Sequence, residues 1–322
     1  MIQTHNLERV FRSRFRQKSV SAVQNLNLSI AQGELFGLVG PDGAGKTTTL
    51  RMLAGILKPT GGQATVNGFD VDKEAEAIKQ TLGYMPQQFG LYGDLTVDEN
   101  MNFVCDVFNV VGPERGQRIK EQIDFTGLGD FRSRRGGALS GGMQKKLSLA
   151  AALIHHPKLL LLDEPTTGVD PVARREFWDI LSTLHAEGAT VVVSTPYMDE
   201  AERCNRVGLM YNGELMMCDT PAAIKRRLPG IVLGLRADDL NRAETLLKSL
   251  PCVIDVQPYG DTLNILTRSE NGNVETVRTK IEHALLQGGI VTDSLRPVPP
   301  RLEEVFIYFV RQYGAANKEA IQ

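Results

Sequence analysis

The residues Gly40, Pro41, Asp42, Gly43, Ala44, Gly45, Lys46, Thr47 and Thr48 combine glycines, one cation and two hydroxyls in the spacing G-x-x-x-x-G-K-[ST]. Glycines let a backbone fold tightly enough for successive N–H groups to converge on phosphate oxygens, and a following helix adds the positive end of its dipole. In that chemistry Lys46 reaches the β- and γ-phosphates of a nucleotide and the Thr47 hydroxyl ligates Mg²⁺. A second pair of useful side chains closes LLLLDEP, Leu159 to Pro165. Asp163 is suited to hold the metal, directly or through water, and Glu164 to polarise an attacking water. An Asp-Glu pair after a strand is also an ordinary acidic helix start. The phosphate loop in the same chain favours the chemical reading.

Such groups work only on rigid supports. VSAVQNLNLSI and then ELFGLVG carry alternating and then continuous apolar residues, which suits two strands within residues 20 to 39, the second fully buried and leading into the glycine loop. TTTLRMLAGILKP has helical spacing and is expected to run to Pro59. LLLL, residues 159 to 162, and TVVVS, residues 190 to 194, read as further buried strands, with the helical segment PVARREFWDILSTLHAEG between them. Strands alternating with helices imply an α/β fold with a parallel sheet covered on both faces.

The character of the chain changes near residue 228. IVLGLRA, DDLNRAETLLKSL, CVIDVQP, TLNILTR, VETVRTKIEHALLQGG and IVTDSLRP follow in the order β-α-β-β-α-β, a small α+β domain of ferredoxin-like arrangement over residues 229 to 313. It closes with the amphipathic helix RLEEVFIYFVRQY. The polar tail GAANKEAIQ, residues 314 to 322, is expected to be disordered.

With 322 residues, 42% of them hydrophobic, the chain can bury a sizeable core and suits one large domain plus one small one. Its 36 basic and 38 acidic residues nearly cancel, so no global field draws it to nucleic acid or to an anionic membrane. Cys105, Cys204, Cys218 and Cys252 are widely spaced with no C-x-x-C pair, which suits reduced thiols in a cytosolic protein. No stretch reaches the ~18 uninterrupted apolar residues of a spanning helix. The N-terminus MIQTHNLERVF lacks the apolar core of a secretory signal. Work at a membrane would then require docking on another protein. His155, His156 and His185 lie apart from these motifs and read as surface or helix residues, and Trp178 fits the core face of its helix.

Between the two chemical motifs lies ALSGGMQKKLSLA, and LSGGMQ, Leu139 to Gln144, resembles the signature sequence of ABC ATPases. YMPQQ, with Gln87, is similar to their Q-loop, and TTGVDP, with Asp170, to their D-loop. The match follows the family's order and spacing over residues 5 to about 225. Within the family, GYMPQQFGLYGDLTVDEN and PYMDEAERC look most like exporter ATPases of the YbhF drug-efflux type. The resemblance implies an ABC ATP-binding domain over residues 1 to 228, a P-loop NTPase with a RecA-like core and a helical subdomain at about 88 to 135.

Further roles follow from the resemblance. Gln87 would sense the γ-phosphate and the metal, completing a catalytic pair with Glu164 and a metal set with Thr47 and Asp163. Ser140, Gly141 and Gly142 precede a helix and so offer a second anion-binding N-terminus, one too many for a single nucleotide. In the family the signature of one subunit closes over ATP held by the other, which implies a head-to-tail dimer, with itself or with a second ABC ATPase, and places Ser140, Gly141, Gly142 and Asp170 at nucleotide. An N-terminal aromatic would stack on adenine, with Phe11 the first candidate and Phe15 the second. The same stretch, RVFRSRFRQK, interleaves cations and aromatics in a way that also suits single-stranded nucleic acid. A solvated loop beside the nucleotide is the more economical account, and no nucleic-acid partner is expected. DLTVDENMNFVCDVFNV offers an apolar face that could receive a permease's coupling helix or pack on its own core.

One position departs from the family. Where its switch histidine contacts the γ-phosphate, VVVSTPYM carries Pro196, which has neither imidazole nor N–H. Losing one transition-state donor typically costs ~10²-fold or more in rate. Three readings follow: slow turnover on Glu164 with help from Thr195 or Tyr197, pairing with a different ATPase, or ATP-driven closure as the working event. The persistence of the other motifs favours slow hydrolysis. The expected function is the ATP-binding subunit of a drug or amphiphile exporter, on the cytoplasmic face of the inner membrane with a separate permease. The alternatives are a soluble ABC ATPase acting on ribosomes or nucleic acid, and a weakly catalytic partner of a second ATPase.

Overall fold

The computed structural model describes residues 1–12, 19–268 and 274–319. It divides into two compact units, Met1–Thr220 and Pro221–Gln322, so the boundary falls at Pro221 rather than near residue 228.

The first unit is built on a six-stranded sheet in the order Glu214–Asp219, Arg206–Tyr211, Leu35–Val39, Thr190–Thr195, Leu159–Asp163, Leu82–Met85. All neighbours are parallel except the Glu214–Asp219 edge. Every residue of Leu35–Val39, Leu159–Asp163 and Thr190–Thr195 is buried, as expected for strands covered on both faces. A second, four-stranded antiparallel sheet orders Ser19–Ile30, Ile2–Arg12, Gly61–Val66 and Phe69–Asp70. One hydrophobic core joins Ile2, Leu7 and Leu26 of this sheet to Phe36, Leu161 and Val192 of the other. Leu50, Met52 and Leu53 of the helix Lys46–Leu53 are buried in the same core. That helix stops at Leu53, short of the expected Pro59, because Gly55 takes a left-handed φ of 66° and turns the chain.

A helical layer follows. Val97–Val107 opens on a capping box in which Thr96 and Glu99 satisfy each other's backbone amides. Pro113–Phe125 starts with proline in its first turn. Gly141–Leu153 packs Leu147 and Ala150 against Met101 and Ile123 of these helices, so the helical core extends beyond residue 135.

The second unit shows the expected β-α-β-β-α-β order: Ile231–Ala237, Leu240–Lys248, Val253–Tyr259, Thr262–Thr267, Val274–Gln287 and Thr292–Pro297. Its antiparallel sheet runs Val253–Tyr259, Thr262–Thr267, Ile231–Ala237, Thr292–Pro297. Leu235, Ile265, Leu247 and Ile281 share its core. The last helix, Leu302–Glu319, is anchored by buried Leu302 and Val305 and by a bond from Asn264 to the Glu304 carboxylate. The expected disorder from residue 314 onward is therefore corrected through Glu319. Ala315, Ala316, Lys318 and Glu319 are good helix formers, and one glycine, Gly314, costs only about 1 kcal/mol in a helix that tertiary contacts already anchor.

Candidate active site

The glycine loop sits at the C-terminal end of the central strand Leu35–Val39, where open parallel sheets present ligand sites. Its glycines are steric requirements. A Cβ on Gly40 would lie 2.2 Å from the Met210 carbonyl oxygen. On Gly45, whose φ is 103°, it would lie 2.4 Å from the Ala22 carbonyl. Gly45 is also the N-cap of the helix Lys46–Leu53 and supplies no side-chain cap. The first-turn amides of that helix are thus unclaimed by a capping side chain, as an anion cradle needs. Ala44 is buried, Pro41, Thr47 and Thr48 are half-buried, and Asp42 and Gly43 face solvent.

Lys46 is 3% exposed. Its ammonium donates to the carbonyls of Gly40 at 2.7 Å and Pro41 at 3.0 Å and pairs with Glu164 at 3.2 Å. Thr47 donates its hydroxyl to Asp163 Oδ1 at 2.9 Å, and Ser194 donates to the same oxygen at 2.7 Å. The other carboxylate oxygen of Asp163 is buried and takes no hydrogen bond. Burial pushes the Asp163 carboxyl above its ordinary value, opposed by the Ser194 and Thr47 hydrogen bonds. An unpaired buried oxygen beside a threonine hydroxyl fits a hard divalent cation that takes one or two carboxylates and completes its shell with phosphate and water.

Glu164 occupies the left-handed region at φ 46°, a strain of ~1–3 kcal/mol for a residue with a side chain. Its amide donates to both the Ser194 hydroxyl and the Ser194 carbonyl, which hold that conformation. The carboxylate accepts from the Gln87 side-chain amide at 2.8 Å and the Thr167 hydroxyl at 3.3 Å, besides pairing with Lys46. Lys46, Thr47, Asp163, Glu164 and Gln87 therefore form one constellation, although they come from three separate stretches of the chain.

Ser140, Gly141, Gly142 and Asp170 form a second group. The Ser140 hydroxyl accepts from the Met143 amide at 3.3 Å and caps Gly141–Leu153. Asp170 accepts from the Val172 and Ala173 amides and caps Pro171–Ala186. A Cβ on Gly142 would come within 2.8 Å of Ala173 Cβ, so the signature glycine allows these two helix starts to pack closely. The side-chain hydrogen bonds of Ser140 and Asp170 thus go to the first turns of the helices they cap.

Phe11 lies at the end of Ile2–Arg12, 42% exposed, with the Arg9 guanidinium 4.7 Å from its ring centroid. It pairs with Val20, two residues from the Ala22 carbonyl that lies against Gly45. Phe15 lies outside the described residues.

Pro196 follows Thr195 at the end of its strand. Thr195 donates its hydroxyl to Glu200 at 2.6 Å and accepts from the Tyr197 amide. Glu200, 2% exposed, also accepts from Thr166 at 2.6 Å and approaches Arg174 at 3.6 Å. The Arg174 guanidinium in turn lies 4.2 Å from the Tyr197 ring centroid. Both candidate substitutes for the missing imidazole are thus engaged elsewhere, Thr195 by hydrogen bonding and Tyr197 by stacking.

Sequence reasoning passed over Ser194, Thr167, Glu200 and Lys145. The Lys145 ammonium donates to the Gln87 carbonyl and lies 3.4 Å from the Glu164 carbonyl. A lysine at the mouth of an otherwise apolar stretch, KKLSLAAAL, was the available signal. His155 is corrected from a surface or helix residue: it lies in a turn, is half-buried, stacks on Phe108 with ring centroids 3.9 Å apart, and bonds the Leu82 carbonyl at 3.1 Å. Trp178 is buried, as its helical spacing implied, and the four cysteines are free.

Known proteins place this geometry. Residues 23–167 match the ABC transporter family model. The chain is 43% identical over 306 residues, 94% of its length, to the probable multidrug ABC transporter ATP-binding protein YbhF of Escherichia coli K12, and covers 52% of that protein. It thus spans about half the length of that relative. It is 32% identical to the linearmycin resistance ATP-binding protein LnrL of Bacillus subtilis 168, covering 95% of this chain and 97% of LnrL. The daunorubicin/doxorubicin resistance ATP-binding protein DrrA of Streptomyces peucetius is 38% identical, with coverage of 76% and 72%. Among solved structures, the dimeric ATP-binding cassette MJ0796 in a post-hydrolysis state with ADP and Pi matches with a TM-score of 0.64 at 28% identity. That match spans 68% of this chain and 98% of the cassette.

Proposed function

The chain belongs to the ATP-binding proteins of ABC transporters, and from that membership we propose that it hydrolyses ATP to drive export through a separate permease. The observation that carries this reading is the Glu164 carboxylate held beside Lys46 and Gln87, with the unpaired oxygen of Asp163 next to Thr47. Lys46 and the amides that open its helix bind the phosphates, and an arriving phosphate competes with Glu164 for the Lys46 ammonium. Thr47, Asp163 and Gln87 hold Mg²⁺. The ion, when bound, neutralises charge that develops on the transferred phosphoryl group. Glu164, freed from Lys46, orients the attacking water, with Gln87 keeping its carboxylate in line. Phe11 stacks on the adenine.

The signature group completes the site in trans. Ser140, Gly141 and Gly142 open a helix of 13 residues, long enough for its N-terminus to attract a γ-phosphate. Two copies, or one copy and a second ATPase, arranged head to tail therefore make two composite sites. A groove of ≈ 220 Å³ lined by Pro86, Gly90, Leu91, Phe103 and Val107 starts beside Gln87 and suits a coupling helix of the permease. No helix among the described residues is long and apolar enough to cross a membrane. Membership among ATP-binding subunits of transporters supports a place on the cytoplasmic face of the inner membrane, and the drug resistance named for its relatives points to drugs or other amphiphiles as cargo.

Steady-state Mg-ATPase activity of the purified protein, beside Glu164→Gln and Pro196→His, tests the reading. The wild type should turn over slowly, Glu164→Gln should be ~10²–10⁴-fold slower, and Pro196→His faster. A wild-type rate equal to that of Glu164→Gln sinks self-sufficient hydrolysis. If Pro196→His then restores turnover, the natural complex pairs this chain with a second ATPase.

A further inference from the structure

The ammonium of Lys145 lies where three elements meet. It is carried by the helix Gly141–Leu153, whose first residues are the signature, and it bonds main-chain carbonyls on two other segments. One is the carbonyl of Gln87, beyond the end of the strand Leu82–Met85 and outside any sheet ladder. The other is the carbonyl of Glu164, whose backbone is left-handed at φ 46° and whose carbonyl also accepts from the Thr167 amide at 3.3 Å. The side chains of the same two residues are joined by the Gln87–Glu164 hydrogen bond of 2.8 Å.

These contacts close a ring: Lys145 to the Gln87 backbone, the Gln87 amide to the Glu164 carboxylate, and the Glu164 backbone to Lys145. We propose that Lys145 is a positioning residue that fixes the Gln87–Glu164 pair in working register and ties that register to the placement of the signature helix. The assignment rests on the reading that this site hydrolyses ATP. Its physical basis is that an ammonium has three donors in a compact head and so can satisfy two loop carbonyls at once. Burial pushes the Lys145 ammonium below its ordinary value, opposed by the charges of Asp163 and Glu164. Any shift of the signature helix relative to the sheet pulls on both carbonyls together. The carboxylate that orients water then moves with the helix that a second subunit must contact.

The test compares Lys145→Met and Lys145→Arg with the wild type. Lys145→Met should lower kcat for ATP about tenfold or more while KM stays unchanged within about twofold, because the lysine acts through the Gln87 and Glu164 carbonyls. Lys145→Arg, which keeps donors in reach, should recover most of the rate. In a Gln87→Ala background the methionine substitution should add little, since its effect passes through Gln87. An unchanged kcat, a KM that rises with the fall in kcat, or full additivity with Gln87→Ala overturns the proposal. Amide hydrogen exchange supplies the arm that needs no turnover. Residues 87–91 should exchange faster in Lys145→Met, with Thr190–Thr195 as slow as in the wild type. If Lys145→Met does not fold, Lys145→Gln takes its place. A wild type without ATPase activity would defeat self-sufficient hydrolysis, yet exchange at residues 87–91 would still decide the role of Lys145, and equal exchange in both proteins rejects it.

Discussion

A single carboxylate oxygen says most about the chemistry. Asp163 presents one oxygen to two hydroxyl donors and leaves the other buried without a partner, a situation that costs about 1–3 kcal/mol or more unless something positive occupies it. Asp163→Asn separates structure from metal binding. Its amide oxygen can still accept from Thr47 and Ser194, so thermal stability should fall only modestly. The amide nitrogen that replaces the free oxygen cannot ligate a cation. Affinity for ATP in the presence of Mg²⁺ should drop to the level the wild type shows in EDTA, measured by titration with a fluorescent nucleotide. Retained Mg²⁺-dependence in the variant would place the ion elsewhere. Glu164 shows the complementary economy: a strained backbone is tolerated because its amide is held by Ser194 and its carboxylate by Lys46, Gln87 and Thr167.

The elements carry a pH response that no active-site residue would suggest. His155, just beyond the helix Gly141–Leu153, bridges to the strand Leu82–Met85 through the Leu82 carbonyl and stacks on Phe108 at the end of Val97–Val107. Burial pushes its imidazole below the ordinary value; the bond to Leu82 opposes this, while the nearby charges of His156 and Arg118 add to it. The unfolded chain, with an imidazole near 6.5, therefore takes up the proton first as pH falls. Stability should decline below about pH 6.5 and continue to fall until the folded imidazole is protonated. Melting temperatures between pH 7.5 and 5.5 should show a component of that decline that disappears in His155→Gln. An identical slope in the variant would remove His155 from the account. Legibility divides along the same line. The phosphate loop, the Asp163–Glu164 pair, the buried strands and the β-α-β-β-α-β order are local patterns, and each could be read from adjacent residues. Lys145 meets Gln87 from 58 residues away, and Glu200 collects Thr195 and Thr166, the latter 34 residues distant, so their roles exist only after folding. The helix ends at Leu53 and Glu319 escaped the pattern for a different reason. A single backbone turn at Gly55 decides the first, and the anchoring of Leu302, Glu304 and Val305 decides the second.

At the scale of the whole molecule, the two anion-binding helix starts pose a question of symmetry. The loop around Lys46 and the signature at Ser140 each present an N-terminus suited to phosphate, one more than a single nucleotide needs. If one subunit's signature serves the other's loop, a subunit broken at Lys46 and a subunit broken at the signature carry complementary halves. Lys46→Ala and Gly141→Glu should each be nearly inactive alone. In a mixture of equal parts, half of the dimers are mixed, and in each of these one site joins the intact loop of the second variant to the intact signature of the first. Activity should therefore return to about one quarter of the wild-type rate if subunits exchange freely and sites act independently. A site completed within one chain predicts the opposite, because neither variant then contains a whole site and mixing creates none. The mixture thus distinguishes a composite site from a self-contained one without a structure of the dimer. If Pro196→His is needed for measurable turnover, the same experiment runs in that background, since Pro196 follows the strand Thr190–Thr195 and is changed in neither broken half.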